Sequence, residues 1–224
     1  MIFWIPVTLI LWVASIIKAQ SDFLPVVLWH GMGDTCCYPF SMGHVKNLIQ
    51  QQHNGTYVYS IMIGDSIISD AEQAFLGNAN DQVAEVCDKL QADPELVNGY
   101  HAIGFSQGGQ FLRAVAQRCP SPPMVNFTIN ESYKQNLLAL ENLILVLFLQ
   151  DITVIPRESS WFGFYKPGQD IELQTLQESV LYTEDRLGLK ALDEAGKLHF
   201  LTCDGAHMQF TDEWFIETIL PFLT

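Results

Sequence analysis

Val26-Val27-Leu28-Trp29 is an unbroken apolar run between Pro25 and the turn-forming residues His30-Gly31-Met32-Gly33-Asp34, the pattern of a buried strand handing the chain to a loop. The same reading predicts strands over Tyr57 to Ile63, Tyr100 to Phe105 and Leu198 to Cys203. Leu143 to Leu149 is apolar at every position, as in a strand covered on both faces. Met124 to Ile129 alternates as a short strand does. Between these runs the period changes. Asn80 to Gln91 sets Val83, Val86, Cys87 and Leu90 on one helical face, and Pro94 ends the pattern. Met42 to Gln52 has helical composition, and Gln107 to Gln117 gathers Phe111, Leu112, Val115 and Ala116 on one side. Asn130 is placed to cap a helix from Glu131 to about Asn142. Further helices are expected over about Glu184 to Glu194, stopping near Gly196, and over Asp212 to Leu220, with loop-rich sequence from Pro156 to Thr183. Helices alternating with apolar strands predict an α/β fold with a mostly parallel sheet. In such sheets chemistry collects at the carboxyl ends of the strands.

The first residues stand apart from this alternation. Met1 to Ile17 carries no charged side chain, and Lys18-Ala19-Gln20 breaks the run before Ser21-Asp22. The run falls at the short end of the roughly 17–25 residues that span a bilayer. We therefore read residues 1–19 as a secretory signal peptide and 20–224 as a single domain that, lacking a second long apolar run, does not span a membrane. The N-x-S/T triplets at Asn54, Asn126 and Asn130, together with five cysteines, agree with an oxidising route. Cys36, Cys37, Cys87, Cys119 and Cys203 make an odd count, so at least one thiol is left over. With neither C-x-x-C nor H-x3-H spacing, no metal or redox site is expected.

Composition narrows the partners. At 49% hydrophobic and 16% charged residues, the 224-residue chain has enough apolar side chains for a substantial core and too many for a disordered chain. Eleven Lys plus Arg against 25 Asp plus Glu leave a formal net charge of −14, which repels a phosphate backbone. Nucleic acid is excluded on that ground.

Gly104-Phe105-Ser106-Gln107-Gly108 is a G-x-S-x-G pentapeptide set between a predicted strand and a predicted helix. On such a turn the serine is lifted over the sheet edge, and the flanking glycines let strand and helix approach. A serine hydroxyl needs a base to take its proton, and that base needs a third group to fix its tautomer. In this chain order the acid comes second and the histidine last. Asp151 directly follows the apolar strand at 143–149, whereas Asp170 and Asp185 lie in less telling places. His207 follows the last strand through Asp204-Gly205-Ala206, while His199 lies inside a strand and reads as a packed core residue. An oxyanion hole requires two backbone N–H groups. Gln107 supplies one by its position after the serine, and Met32, in a His-Gly-Met-Gly loop like those of esterases, is the candidate for the second.

These segments also carry a family resemblance. His30 to Asp34 followed by Cys36-Cys37, the run from Gly104 to Val115, Trp161-Phe162-Gly163-Phe164-Tyr165, and Leu181-Tyr182-Thr183 through Leu189 resemble the lysosomal palmitoyl-protein thioesterases over nearly the whole chain after residue 19. The resemblance implies an α/β-hydrolase fold in which Ser106, Asp151 and His207 act on palmitoyl thioesters of protein cysteines, without a cofactor. Met32 and Gln107 fall on the family's oxyanion donors, and S-acylated proteins become the expected substrates. It further implies disulfides Cys36–Cys37 and Cys87–Cys119, with Cys203 as the odd thiol. Delivery through the secretory pathway to the lysosome, or secretion, follows on the same basis, with Asn54, Asn126 and Asn130 as glycosylation sites. One departure stands out. The family carries a long lid insertion after the nucleophile helix, and here Met124-Val125-Asn126 runs straight on to Ile129-Asn130-Glu131. The residues leave two alternatives open: a general serine esterase or lipase, and an impaired chain that only binds lipid or partners because Asp151 is misplaced.

Overall fold

Val26–Trp29 forms β1, buried at all four positions, and pairs in parallel with Val58–Ser60 (β2) on one side and His101–Gly104 (β3) on the other. The computed structural model describes residues 23–119 and 131–223. Parallel neighbours require crossovers, and Met42–Gln52 (α1) supplies the first, between β1 and β2. Ile67–Leu76 (α2) and Ala79–Ala92 (α3) run between β2 and β3, and Gln107–Arg118 (α4) leaves β3 through Ser106. The alternation of side chains along β1 divides the core between two faces. Val26 and Leu28 pack with Val45, Leu48 and Ile49 of α1, whereas Val27 and Trp29 pack with Val83, Val86 and Leu90 of α3 and Leu112 and Val115 of α4.

Glu131–Leu138 (α5) leads into Leu143–Phe148 (β4), which pairs in parallel with Leu198–Cys203 (β7). Between them lie a small antiparallel pair, Phe164–Tyr165 (β5) and Leu173–Gln174 (β6), and two short helices, Val180–Thr183 (α6) and Leu189–Glu194 (α7). Leu137, Leu145, Leu176, Leu189, Leu192 and Leu198 form the core of this half. Trp161 closes it, its indole N–H directed at the carbonyls of Leu145 and Leu201, 3.1 and 3.3 Å away. Asp212–Thr218 (α8) returns to the first half, with Phe215 buried among the α1 side chains.

The parallel strands and flanking helices match the predicted class, but the single sheet is not what the described residues form. Their hydrogen bonding gives one three-stranded parallel sheet, ordered β2-β1-β3, and a separate parallel pair, β4-β7. The strand expected over Met124 to Ile129 lies outside the described residues, as do the signal peptide, Asn126 and Asn130.

Some boundaries differ for local reasons. α5 stops at Leu138 rather than near Asn142, because the chain must turn to bond the Leu143 N–H to the Lys197 carbonyl at 2.8 Å. The helix expected over Glu184 to Glu194 is split. Asp185 and Gly188 take positive φ of 47° and 81°, and the Asp185 carboxylate accepts the Lys190 N–H at 3.0 Å, so α7 starts afresh at Leu189. The hydrophobic pattern does not announce α2, since its exposed face carries Ile68, Phe75 and Leu76 while it buries Asp70. Cys87–Cys119 joins α3 to the end of α4, Cys36–Cys37 lies in the loop after β1, and Cys203 is buried and unpaired.

Candidate active site

Ser106 sits between β3 and α4 with φ 54° and ψ −120°, a region that L-residues rarely occupy and that is tolerated where surrounding structure imposes it. The imposing groups are backbone. A Cβ on Gly104 would stand 2.5 Å from the Gly109 Cα, and one on Gly108 would stand 2.6 Å from the His30 carbonyl oxygen. Both glycines of the pentapeptide are therefore fixed by the close approach of strand, helix and the loop after β1. The turn leaves Ser106 exposed at the carboxyl end of β3.

The ends of β4 and β7 bring the other two groups to the same place. The Gln150 N–H bonds the Gly205 carbonyl at 3.0 Å, tying the loop after β4 to the loop after β7. Asp151 Oδ1 accepts the backbone N–H groups of Thr153 and Val154 at 2.8 and 3.1 Å, which leaves Oδ2 facing His207 Nδ1 at 2.7 Å. The other ring nitrogen, Nε2, lies 2.9 Å from Ser106 Oγ. Side-chain exposure falls from 21% at His207 to 3% at Asp151. Burial pushes the Asp151 carboxyl upward, but the hydrogen bond from His207 and those from Val154 and Thr153 outweigh it and hold the group below its ordinary value. An ionised carboxylate only accepts, so the Nδ1 proton is donated to Asp151 and Nε2 is left to accept from the serine hydroxyl.

Thus Ser106, His207 and Asp151 meet, from three separate strand ends. Asp185 is engaged elsewhere, bonded to Lys134 at 2.8 Å. His199 is half-buried rather than a packed core residue; its ring contacts Phe222 and Nε2 meets Asn142 Oδ1 at 2.8 Å. Gln107 is the first residue of α4, where backbone N–H groups lack intrahelical partners. Met32 lies on the exposed loop after β1, and a Cβ on neighbouring Gly31 would lie 3.1 Å from Ser106 Cβ. Asn54 is exposed in the turn after α1. Among the described residues no group of three or more His, Cys, Asp or Glu side chains is arranged to hold a metal ion, and no helix is long and apolar enough to cross a membrane.

Apolar side chains are exposed beside Asp151 and on the β1 loop with α2. Beside Asp151 an open cleft of about 350 Å³ is lined by Ile152, Val154, Ile155 and Leu173 together with the charged Arg157, Glu158 and Asp170. Toward the β1 loop, Met32, Ile68, Phe75 and Leu76 stand exposed. The sequence reading also missed a buried pair. His30 Nε2 lies 3.0 Å from Asp70 Oδ1, and the two side chains are 3% and 0% exposed. Asp70 sits in the helix that the pattern did not announce, so no periodic signal pointed to it.

Comparison with known proteins places the chain in a family. The family model described as palmitoyl protein thioesterase matches residues 25–129 and 124–207. The chain belongs to the palmitoyl protein thioesterase family. It is 40% identical over 269 residues to palmitoyl-protein thioesterase 1 of Caenorhabditis elegans, covering 88% of this chain and 90% of that protein. It is 29% identical over 289 residues to palmitoyl-protein thioesterase 3 of Dictyostelium discoideum, covering 96% of this chain and 98% of the relative. A palmitoyl-protein thioesterase–dolichyl pyrophosphate phosphatase fusion of Schizosaccharomyces pombe is 30% identical over 272 residues and spans 87% of this chain, but only 43% of the fusion is matched. The thioesterase family match thus covers both halves of the fold and every residue of the Ser106, Asp151 and His207 constellation.

Proposed function

We propose that this protein hydrolyses long-chain fatty-acyl thioesters, palmitoyl groups on protein cysteines, with Ser106 as nucleophile, His207 as base and Asp151 as its orienting acid. The observation that carries this reading is the position of His207, 2.7 Å from the Asp151 carboxylate on one side and 2.9 Å from Ser106 Oγ on the other. Ser106 Oγ attacks the thioester carbonyl while His207 Nε2 takes its proton. The resulting oxyanion is met by the backbone N–H groups of Gln107 and Met32. Collapse breaks the carbon–sulfur bond, and the cysteine thiol leaves with the proton returned by His207. Water, deprotonated by the same nitrogen, then attacks the acyl-serine and releases the fatty acid. The thioester and the palmitoyl chain are taken from the family; the cleft lined by Ile152, Ile155 and Ile171 is the surface on which such a chain would lie.

The reading extends to a shortened lid. The family match comes in two pieces that meet at residues 124–129, and the alignment to the C. elegans relative extends over 269 positions although this chain has 224. Residues of the relative therefore lack counterparts here. A secretory route to the lysosome fits the apolar leader at 1–19, the cysteine pairs Cys36–Cys37 and Cys87–Cys119, and the exposed sequon at Asn54.

The test is hydrolysis of a palmitoyl thioester and its matched oxygen ester by purified wild-type protein and Ser106→Ala. The proposal expects faster thioester turnover, falling at least about 10³-fold in the variant. Equal rates on both esters would make the protein a general esterase, and no turnover of either would leave a binding protein.

A further inference from the structure

The His30–Asp70 pair is an unusual expenditure of burial. Both groups are almost wholly removed from water, and such pairs are weak contributors to stability because desolvation offsets their attraction. Their geometry points to another use. Asp70 ties three segments together on one carboxylate: its own helix, the loop after β1 and the chain after β2. It projects from α2, its Oδ1 faces His30 Nε2 at 3.0 Å and accepts the Ile63 N–H at 2.7 Å, and its Oδ2 accepts the Cys36 N–H at 2.9 Å. On the other side of the ring, His30 Nδ1 lies 2.9 Å from the Gly31 carbonyl oxygen. A carboxylate and a carbonyl both accept, so both ring nitrogens must donate and the imidazole carries two protons.

The Gly31 carbonyl shares its peptide unit with the Met32 N–H. Because that unit is planar and trans, fixing the direction of the carbonyl fixes the N–H in the opposite direction. The same carbonyl also accepts the Asp34 N–H at 3.3 Å, and Gly31 packs against Ser106.

We propose that His30 and Asp70 are positioning residues: the doubly protonated His30 ring, anchored by Asp70, holds the Gly31–Met32 peptide so that the Met32 N–H points at the oxyanion formed above Ser106. This rests on the acyl-transfer reading given above. Losing the Nδ1 proton would turn a lone pair toward the Gly31 oxygen and release the peptide, so the device works on the acidic side of His30 titration. The charged groups facing the ring are Asp70 from α2 and Asp34 from its own loop; burial would lower the His30 pKa, but the hydrogen bonds to Asp70 and Gly31 and both negative charges hold it above the ordinary 6.5.

The experiment compares wild type, His30→Gln, Asp70→Asn and the double variant as folded, purified proteins with a palmitoyl thioester. An interaction used in the transition state lowers kcat and leaves KM nearly unchanged. The expected result is a loss of about 10- to 100-fold in kcat for each single variant with KM within about twofold. The double variant should lose no more than the worse single, since both act through one peptide. In Asp70→Asn the alkaline limb of kcat should move to lower pH, a shift that a merely weakened fold would not produce. Either variant retaining wild-type kcat while folded, or an alkaline limb that does not move, would overturn the proposal. Should neither variant fold, the His30 imidazole titration followed by NMR in the wild-type protein must coincide with the alkaline limb of kcat, and a mismatch overturns it equally. Ser106→Ala separates this inference from the reading beneath it, because activity surviving there would refute the serine mechanism itself.

Discussion

Asp151 Oδ2 lies 2.7 Å from His207 Nδ1 although 56 residues separate the two in the chain. The contact exists because β4 and β7 run parallel and in register, Leu143 opposite Leu198 through Phe148 opposite Cys203, so that both loops leave the same edge. Replacing the carboxylate by an amide should keep this geometry while permitting the opposite histidine tautomer. Asp151→Asn is accordingly expected to lower kcat by about 10³- to 10⁴-fold with little change in thermal midpoint, checked by steady-state kinetics beside a melting curve.

The turn at Ser106 has no room for added carbon. A Cβ on Gly108 would collide with the His30 carbonyl oxygen at 2.6 Å, and backbone cannot step aside as a flexible side chain does. Gly108→Ala should destabilise the protein by about 3 kcal/mol or more and abolish turnover. Urea denaturation gives the first number; a variant of wild-type stability would show that the turn at Ser106 has room for a methyl group.

Acyl binding should depend on the cleft beside Asp151. Ile155 is 71% exposed on its lining, and removing apolar contact there weakens a long chain by about 1 kcal/mol. Ile155→Ser is expected to raise KM for a palmitoyl thioester by about fivefold and to leave an acetyl thioester unaffected. Equal effects on both chain lengths would place the acyl group elsewhere.

Acid should weaken the fold through His101. Among the described residues its Nε2 is buried without a hydrogen-bond partner, and burial holds its pKa below the ordinary 6.5, against the pull of Glu141 and together with the charge of His53. The unfolded chain therefore binds this proton more readily, so stability falls as pH drops below about 6.5. His101→Gln should flatten the dependence of urea midpoint on pH between 7 and 5, a comparison within one buffer series.

Much of this was legible in the sequence, for identifiable reasons. The apolar runs at Val26–Trp29 and Leu143–Phe148 are strands, the first buried throughout and the second, against the expectation of cover on both faces, only at Leu145, Leu147 and Phe148, and a G-x-S-x-G at a strand–helix junction permits one tight turn. Asp151 and His207 were legible as candidates because each lies a few residues beyond a predicted strand. What the pattern hid is equally physical. Asp70 is a carboxylate inside a helix whose exposed face is apolar, so its burial beside His30 depends on tertiary packing alone. The break of the predicted 184–194 helix depends on Asp185 reversing to cap α7, which composition does not reveal. The lone buried nitrogen of His101 is likewise a tertiary fact.

The most direct test of the central claim is to trap the covalent intermediate. Wild-type protein mixed with a palmitoyl thioester and quenched in acid within milliseconds should yield, by mass spectrometry, a palmitoyl group on the peptide containing Ser106, absent from Ser106→Ala. Release of the thiol with Ser106 unmodified at every quench time, or an acyl group found on another side chain, would contradict the account.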